Sequence, residues 1–379
     1  MRLHRYCLMV ALLLTALAGS LSAIGQGRPR SWRRGPLTMQ EFVTQTHTGD
    51  SLSHLAHTVL YSLQGVTEGM HTYYFCRTGA VMYPAASWMA DGHRDSAELA
   101  YNQALFDLAE IYRRQMQWQA FYLPHRKRRY DLLLESTRQQ LSRELSALQA
   151  ATDCGRDTAA LERVRRRNRE WLNAHPCERP EFTPRPFWWS VGLEFGATIP
   201  TGAVAQCFSA SVGTVGFNVG VGLWRHGLYL HSARGNLRAV DTLRDSWGGI
   251  FDPRYAAGGF DRSDFGIAYG YSVFDNDAFG VTPYVGYGGT VIATGFWYDF
   301  STWAVTVGVR GRYNIRHWHS VRDGLKHRGE RLTASATANL FASYSKFDEL
   351  YDSPAGLTLG LQLGLQLGVR RERVQYPDR

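Results

Sequence analysis

One stretch near the C-terminus decides the fold: Leu357-Thr358-Leu359-Gly360-Leu361-Gln362-Leu363-Gly364-Leu365-Gln366-Leu367-Gly368-Val369. Every odd position carries a large aliphatic side chain, and every even position carries threonine, glycine or glutamine. Because side chains alternate between the two faces of a strand, the pattern predicts one wholly apolar face and one small, polar face. At about 3.3 Å per residue and a tilt of roughly 40°, such a strand crosses the apolar band of a membrane.

Seven further segments with the same alternation precede this stretch. They cover 187–196, 215–223, 228–234, 265–273, 279–292, 303–316 and 332–342. A soluble β-sandwich or barrel would place large aliphatics inside and charged residues outside, but here the minor faces are rich in glycine and nearly free of lysine and glutamate. The total of eight is even, as in single-chain outer-membrane barrels. The sequence therefore predicts an eight-stranded antiparallel transmembrane β-barrel over residues 187–370.

The minor faces supply a set of polar side chains that would point into this barrel. An eight-stranded barrel has an interior just wide enough to be filled by side chains. We expect a buried polar network there, and a narrow charge-gated channel is the alternative. The predicted members are Glu194, Asn218, Arg310, Arg312, Arg316, Asn339, Gln362 and Gln366, with Asn314 near them.

The connections between predicted strands differ in length in a way that orients the barrel. The connections at 225–227 and 275–278 are short, as periplasmic turns are, whereas those at 199–213 and 238–263 are long, as outer loops are. The connection 317–331 is an exception, because it is long and falls on the periplasmic side. The N-terminal half enters at the first strand, so we expect it in the periplasm.

The first 25 residues are typical of a secretory signal peptide. A positive start at Arg2 and Arg5 precedes the apolar stretch Cys7–Gly19, which is too short to span a bilayer as a helix, and small residues follow. No later run approaches the roughly 18–20 apolar residues of a spanning helix, so a helical membrane protein is not expected.

Residues 36–175 are predicted to form a periplasmic helical domain. Apolar residues recur at spacings of three and four in Ser96–Gln119, Arg129–Ala151, Asp157–Asn173 and, as a fourth helix, Ser51–Gly65. Such helices must bury their apolar stripes, which predicts a bundle or hairpin. Four prolines make 176–186 a stiff linker, and 371–379 is a basic tail. The fold class is thus α+β multidomain.

The formal net charge of +9 raises the question of a nucleic-acid partner. Many arginines, however, cluster in one helical segment and in the tail, which favours a solvated face over a nucleic-acid groove, so no nucleic acid is expected. The densest cluster, 165–169, would alternatively contact an acidic partner protein or anionic lipid.

Beyond Cys7 the cysteines are Cys76, Cys154, Cys177 and Cys207. Three full pairings are open, and Cys154 and Cys177 flank one predicted helix.

No catalytic residue, cofactor site or metal site is predicted. His47, His54, His57 and His71 are close in sequence, and His54 and His57 would share a helix face, but no carboxylate aligns with them. We therefore expect surface histidines and a non-enzymatic structural or adaptor role, with outer-membrane lipid and a periplasmic or envelope protein as partners. A narrow channel and a small lipid-modifying outer-membrane enzyme are the alternatives.

On its strand pattern, 187–370 resembles the outer-membrane β-barrel proteins of Bacteroidetes and, more loosely, the OmpA/OmpX-like eight-stranded barrels. The resemblance implies an architecture and no particular activity. Members of this family often end on an aromatic residue of the last strand, whereas this chain continues to Arg379. The stretch 104–112 is similar to helical regions that precede barrels in Bacteroidetes proteins.

Overall fold

The computed structural model describes residues 28–46, 52–177, 179–244, 246, 250–251, 260–293 and 299–376. The predicted signal peptide therefore lies outside the described residues. Within them, short strands come first, then three helices, then long strands. The short strands are β1 (Arg30–Ser31), β2 (Val43–Gln45), β3 (Ser53–His54), β4 (His57–Ser62), β5 (Val66–Glu68), β6 (His71–Tyr74), β7 (Arg77–Met82) and β8 (Trp88–Ala90).

Three of the predicted helices coincide with observed ones: α1 (Ser96–Tyr122), α2 (Lys127–Ala151) and α3 (Thr158–Ala174). The side chain of Asp95 accepts hydrogen bonds from the backbone N–H groups of the first turn of α1, and Asp157 does the same for α3. At the other end of α3, the Arg114 guanidinium donates to two backbone carbonyls, which satisfies groups that a helix end leaves unpaired. None of the helices in the described residues is long and apolar enough to cross a membrane.

The prediction of a helix over Ser51–Gly65 is wrong. This segment contains β4, which pairs antiparallel with β7 and buries Val59 completely. The spacing of its leucines matched a helix, but Thr58, Val59 and Tyr61 favour a strand, and β7 offers a partner edge a few residues further on. The sheets β1-β7-β4 and β2-β8-β3 pack on the helices, so the N-terminal region is mixed α/β and not a helical bundle.

The long strands pair antiparallel with their neighbours along the chain, and the first pairs with the last, so the hydrogen-bonded order returns to its start. They are β9 (Glu181–Pro200), β10 (Ser211–Leu223), β11 (His226–Leu237), β14 (Phe260–Tyr271), β16 (Phe279–Ala293), β17 (Asp299–Asp323), β18 (Arg328–Lys346) and β19 (Ala355–Gln375). Between them lie helix α4 (Val204–Cys207) and the short strands β12 (Leu243–Arg244), β13 (Ile250–Phe251) and β15 (Phe274–Asp275). Each predicted strand segment lies within an observed strand, apart from residues 272–273.

Four of these strands, β9, β17, β18 and β19, extend beyond their predicted bounds at the same end of the barrel. The expected turn 317–331 is a continuation of β17 and β18, which are joined by the short turn 324–327. The expected linker and tail also form strand, because Glu181 pairs with Gln375 and Pro184 with Glu372. Pro184 is tolerated because the register shifts beside it, between Arg370 and Glu372, and proline is accommodated at such bulges.

The N-terminal domain is attached to this extension. Strand β6 pairs parallel with residues His317–Ser320 of β17. Beside this pairing, Trp118 and Phe121 of α1 pack with Phe75, with Val321 of β17 and with Val374 of β19 in one apolar cluster. The domain therefore rests on the extended strands at the end of the barrel where β9 begins.

The opposite end of the barrel is covered by apolar side chains. Phe208, beside α4, contacts Phe347 at a ring distance of 5.5 Å. Both belong to a buried cluster with Leu237, Ile292 and Phe300 at the strand ends. Apolar residues therefore close the mouth on the side of the long loops.

Replacing Gly364 with alanine is expected to lower the free energy of unfolding by about 1–3 kcal/mol. A β-carbon on Gly364 would overlap the backbone carbonyl oxygen of Leu193, which cannot rotate away. Gly368, on the same strand, is the matched control, because its β-carbon would approach nothing closer than 3.9 Å. Urea unfolding of the refolded protein measures both variants, and equal stabilities would show that this close strand contact is not rigid.

Candidate functional site

Most of the predicted inward-facing polar set lies inside the barrel. Strand alternation directs one face of each strand inward, and the side chains there are almost inaccessible. The buried members are Glu194, Asn218, Arg310, Asn314, Asn339, Gln362 and Gln366.

Glu194 is the centre of this network. One carboxylate oxygen of Glu194 accepts from Asn218 Nδ2 at 2.7 Å and from Arg310 Nη2 at 3.0 Å. The Arg310 guanidinium also lies over the Tyr229 ring at 4.7 Å. Glu194 and Arg310 are 4% and 8% exposed, so each charge depends on the other for stabilisation.

A second group of polar side chains connects β16, β18 and β19. The Tyr284 hydroxyl donates to Asn339 Oδ1 at 2.8 Å, and Asn339 Nδ2 donates to Gln362 Oε1 at 3.0 Å. Nearer the N-terminal domain, Ser335 donates to Asn314 Oδ1 at 2.8 Å. These interior side chains are thus hydrogen-bonded to each other across the lumen, whereas Asn218 Oδ1 and two nitrogens of Arg310 are buried without a partner among the described residues.

Two predicted members are not in the network. Arg312 lies at the rim and pairs with Asp275 at 2.6 Å, with about a third of each side chain exposed. Arg316 points outward, because the register of β17 shifts between Asn314 and Arg316. A one-residue shift exchanges the two faces of a strand. The same bulge turns His317 and His319 inward, where they are 1% and 4% exposed.

The space left in the lumen is small. One cavity of about 60 Å³ adjoins Glu194 and Arg310, and a second of about 70 Å³ adjoins Arg312 and Gln366. Each has room for a few water molecules. The lumen is therefore largely filled by the network.

A histidine cluster that sequence analysis did not predict lies where the N-terminal domain meets the barrel. His71 of β6 lies between His317 and His319 of β17, with ring centroids 4.8 Å and 5.1 Å away. His71 Nδ1 and His319 Nε2 are hydrogen-bonded at 2.9 Å. His319 Nδ1 lies 2.9 Å from a carboxylate oxygen of Glu372, which is 1% exposed.

Asp277 completes this cluster from the turn between β15 and β16. The Asn276 side chain accepts from the backbone N–H groups of Ala278 and Phe279, which fixes the turn. Asp277 Oδ2 lies 3.7 Å from His71 Nε2, and Asp277 Oδ1 lies 3.8 Å from Arg331. In the sequence, the spacing of His317 and His319 indicated only that they share one face of a strand. The site depends on the bulge in β17 and on the pairing with β6, which the sequence pattern did not show.

The other histidines of the N-terminal stretch do not gather. His47 lies outside the described residues. His54 is in β3 and His57 begins β4, so the shared helix face that would have aligned them does not form. His57 Nδ1 is hydrogen-bonded to the Leu55 carbonyl at 2.9 Å, and burial lowers the pKa of His57.

The N-terminal domain is expected to lose stability as pH falls below about 6.5, the ordinary pKa of histidine. Because burial lowers the pKa of His57, the unfolded chain binds a proton at a higher pH than the folded chain does. The stability contributed by neutral His57 is therefore present above pH 6.5 and is lost as pH falls, by at most about 1.4 kcal/mol per pH unit. Thermal unfolding from pH 8 to pH 5 measures this loss. The His57→Gln variant should show a weaker pH dependence, and an unchanged dependence would contradict the assignment to His57.

All four described cysteines are free thiols. Burial raises the pKa of the Cys76 thiol to about 12, so it is not a reactive nucleophile at neutral pH.

In the basic cluster of α3, Arg166, Arg167 and Arg169 are exposed to solvent, and Arg165 pairs with Glu162 at 3.0 Å. These guanidinium groups are therefore accessible on the surface of α3.

No protein-family model matches the chain. No curated protein matches it either. Among solved structures, the N-terminal β-barrel domain of Pseudomonas aeruginosa OprF is similar at 13% identity, with 49% of this chain and 99% of that chain covered and a TM-score of 0.23. Neisserial surface protein A is similar at 14% identity, with 51% and 98% covered and a TM-score of 0.24. Ail of Yersinia pestis is similar at 12% identity, with 50% and 99% covered and a TM-score of 0.25. At these scores, the description of the fold rests on the strand pairings of the chain itself.

Proposed function

We propose that this chain is a non-enzymatic outer-membrane barrel protein of the Bacteroidetes type that its strand pattern resembles. Its barrel would anchor the N-terminal domain at the periplasmic face, where the domain would engage a periplasmic or envelope partner. The observation that carries the proposal is the apolar outer face of the barrel.

This face would be unstable in water. Alternate leucines of β19, from Leu357 to Leu367, are each 45–65% exposed, and valines and aromatic residues on the other strands are exposed to a similar degree. Soluble monomers rarely expose a continuous apolar patch larger than about 600 Å². Leaving such a side chain in water forgoes roughly 1.5–3 kcal/mol relative to burial, and hydrocarbon removes that cost.

Exposed aromatic residues border the apolar face at both ends. Near the N-terminal domain they are Phe187, Trp189, Trp224, Tyr269, Tyr271, Phe279 and Tyr313. Near the long loops they are Phe265, Tyr287, Trp303 and Tyr344. Along β17, the ten-residue step from Trp303 to Tyr313 corresponds to about 25 Å at a 40° tilt, which is the height of the apolar band of outer-membrane barrels.

The expected orientation follows from the connections. The N-terminal domain lies at the end with the short turns, which is the periplasmic end in bacterial barrels. From there, α3 presents Arg163, Arg166, Arg167 and Arg169 to solvent. An acidic surface on a periplasmic or envelope protein would complement this face.

Thiol labelling of intact cells tests the orientation. Cys154 is exposed at the end of α2, and Asp352 is exposed in the turn between β18 and β19 at the opposite end. In the first variant, Cys177 and Cys207 are replaced by serine and Cys154 is kept. It should react with a membrane-impermeant maleimide only after the outer membrane is permeabilised. The matched variant, with Cys154 also replaced and Asp352→Cys added, should react in intact cells. Labelling of Cys154 in intact cells would overturn the periplasmic placement.

The filled lumen and the apolar cluster at the loop end oppose the channel alternative. In planar bilayers we expect no steady conductance from the purified protein. Reproducible single-channel steps would favour the channel.

A further inference from the structure

We propose that His71, Asp277 and His317 form a binding site for a divalent transition metal ion such as Zn²⁺, at the junction between the N-terminal domain and the barrel. One ligand atom from each of these residues lies within 4.8 Å of the other two. Two imidazole nitrogens and one carboxylate oxygen are a donor set that suits Zn²⁺ and related ions.

The distance between His71 and Asp277 suits a shared ion, and the ligand atom of His317 lies within 4.8 Å of each of theirs. Ligand atoms about 2.1 Å from a tetrahedral metal lie roughly 3.4 Å from each other. The 3.7 Å between His71 Nε2 and Asp277 Oδ2 is close to that value. The Asp277 side chain is 70% exposed in its turn, so it can move the remaining few tenths of an ångström without disturbing the core.

The hydrogen bonds around His71 leave its outer nitrogen available to a metal. As a carboxylate, Glu372 only accepts, so His319 Nδ1 donates to it, and with a neutral imidazole His319 Nε2 accepts. His71 Nδ1 then donates to His319 Nε2. The remaining atom, His71 Nε2, carries a lone pair directed toward the Asp277 carboxylate. A cation between these two acceptors would be stabilised by both.

Metal-binding histidines in proteins are usually held by hydrogen bonds of this kind. Such a histidine usually donates its other ring N–H to a carboxylate, a carbonyl or another acceptor, which fixes the tautomer. His319 and Glu372 serve this purpose for His71. For His317, Nδ1 lies 2.9 Å from the Thr333 hydroxyl, so Nε2 can face the metal.

His317 Nε2 lies 2.8 Å from the backbone carbonyl oxygen of Asp277. Metal binding by His317 Nε2 would displace the proton donated here and widen this contact, because two ligands of one tetrahedral ion lie roughly 3.4 Å apart. Arg331 approaches Asp277 Oδ1, not the Oδ2 atom that faces His71.

The ligands come from separate parts of the chain. His71 belongs to the N-terminal domain, whereas Asp277 and His317 belong to a turn and a strand of the barrel. A bound ion would therefore fasten the domain to the barrel and set its orientation. This role does not depend on the identity of any periplasmic partner.

The test is Zn²⁺ binding by the full-length protein, purified in detergent without a polyhistidine tag. After chelation and dialysis, titration against a chromophoric competitor should give one Zn²⁺ per chain, and Co²⁺ should give visible absorption bands typical of nitrogen and oxygen ligands. Asp277→Asn and His71→Ala should each weaken Zn²⁺ binding at least 10-fold. His319→Gln should also weaken Zn²⁺ binding, by about 10–100-fold, because it removes the acceptor that orients His71.

His226→Ala is the matched control, because His226 is an exposed histidine at the start of β11, at the same end of the barrel. It should bind Zn²⁺ as the wild type does. Asp277→Asn changes an exposed side chain, so the test stands even where His71→Ala fails to fold. The proposal is overturned if the wild type binds no stoichiometric Zn²⁺, or if Asp277→Asn binds it as tightly as the wild type.

Discussion

Replacing Glu194 with alanine is expected to lower the free energy of unfolding of the barrel by about 3–5 kcal/mol. The substitution leaves the Arg310 guanidinium buried without its carboxylate and removes the acceptor of Asn218 Nδ2. An uncompensated charge in the lumen is costly, because side chains fill the space where water would otherwise solvate it. Urea unfolding in lipid vesicles measures the change.

The double variant Glu194→Gln with Arg310→Met separates charge from shape. It removes both charges, keeps an amide to accept from Asn218 and keeps similar volumes. It should recover most of the stability that Glu194→Ala loses, because a neutral replacement of a buried pair is often nearly neutral in energy. If the double variant is as unstable as Glu194→Ala, the ion pair is not the source of the loss.

Replacing Leu363 with arginine is expected to cost about 2–4 kcal/mol, because this residue lies in the middle of the outward apolar run of β19. The same substitution at Leu357, at the loop end of the run, should cost only about 0–1 kcal/mol. Both side chains are about half exposed, at 57% and 45%, so solvent exposure alone does not distinguish them. The difference arises from depth in the bilayer. Folding into vesicles, followed by urea titration, measures both variants.

A soluble β-domain would give a different result for these two variants. On the surface of a soluble protein, both arginines would meet water, and both would change stability by no more than about 0.5 kcal/mol. Equal, small effects at Leu363 and Leu357 would therefore contradict a lipid-facing surface.

Strand positions could be predicted because the signal is local. In β19, seven alternate aliphatics define one face without reference to any other part of the chain. The same rule placed Glu194, Asn218 and Gln362 inward, and the structure places them there. The three helices were equally predictable, because the apolar spacing lies within each segment, and α1 and α3 each begin after a capping aspartate.

The remaining features depend on long-range pairing. Arg316 was placed inward because alternation was continued past Ile315, whereas the bulge there reverses the faces of β17. That reversal, together with the parallel addition of β6, forms the histidine cluster from residues 246 positions apart in the chain, such as His71 and His317. Alternation within one strand contains no information on either event.

Strand continuation was missed for a related reason. Proline and charge in 181–186 and 371–375 are typical of a linker and a tail, but the two segments pair with each other beyond the apolar band. Outside the membrane a strand does not need an apolar face, so the hydrophobic pattern ends before the strand does. The extended strands then supply the surface on which the N-terminal domain rests.

The most direct test of the outer-membrane barrel is heat modifiability of the protein in isolated outer membranes. Samples are run on a detergent gel with and without boiling. A barrel whose first and last strands are hydrogen-bonded resists detergent, so the unboiled band is predicted to migrate faster and to be recovered in the outer-membrane fraction. A band that does not shift, with the protein in the soluble periplasmic fraction, would contradict the account and make the second half of the chain a soluble β-domain.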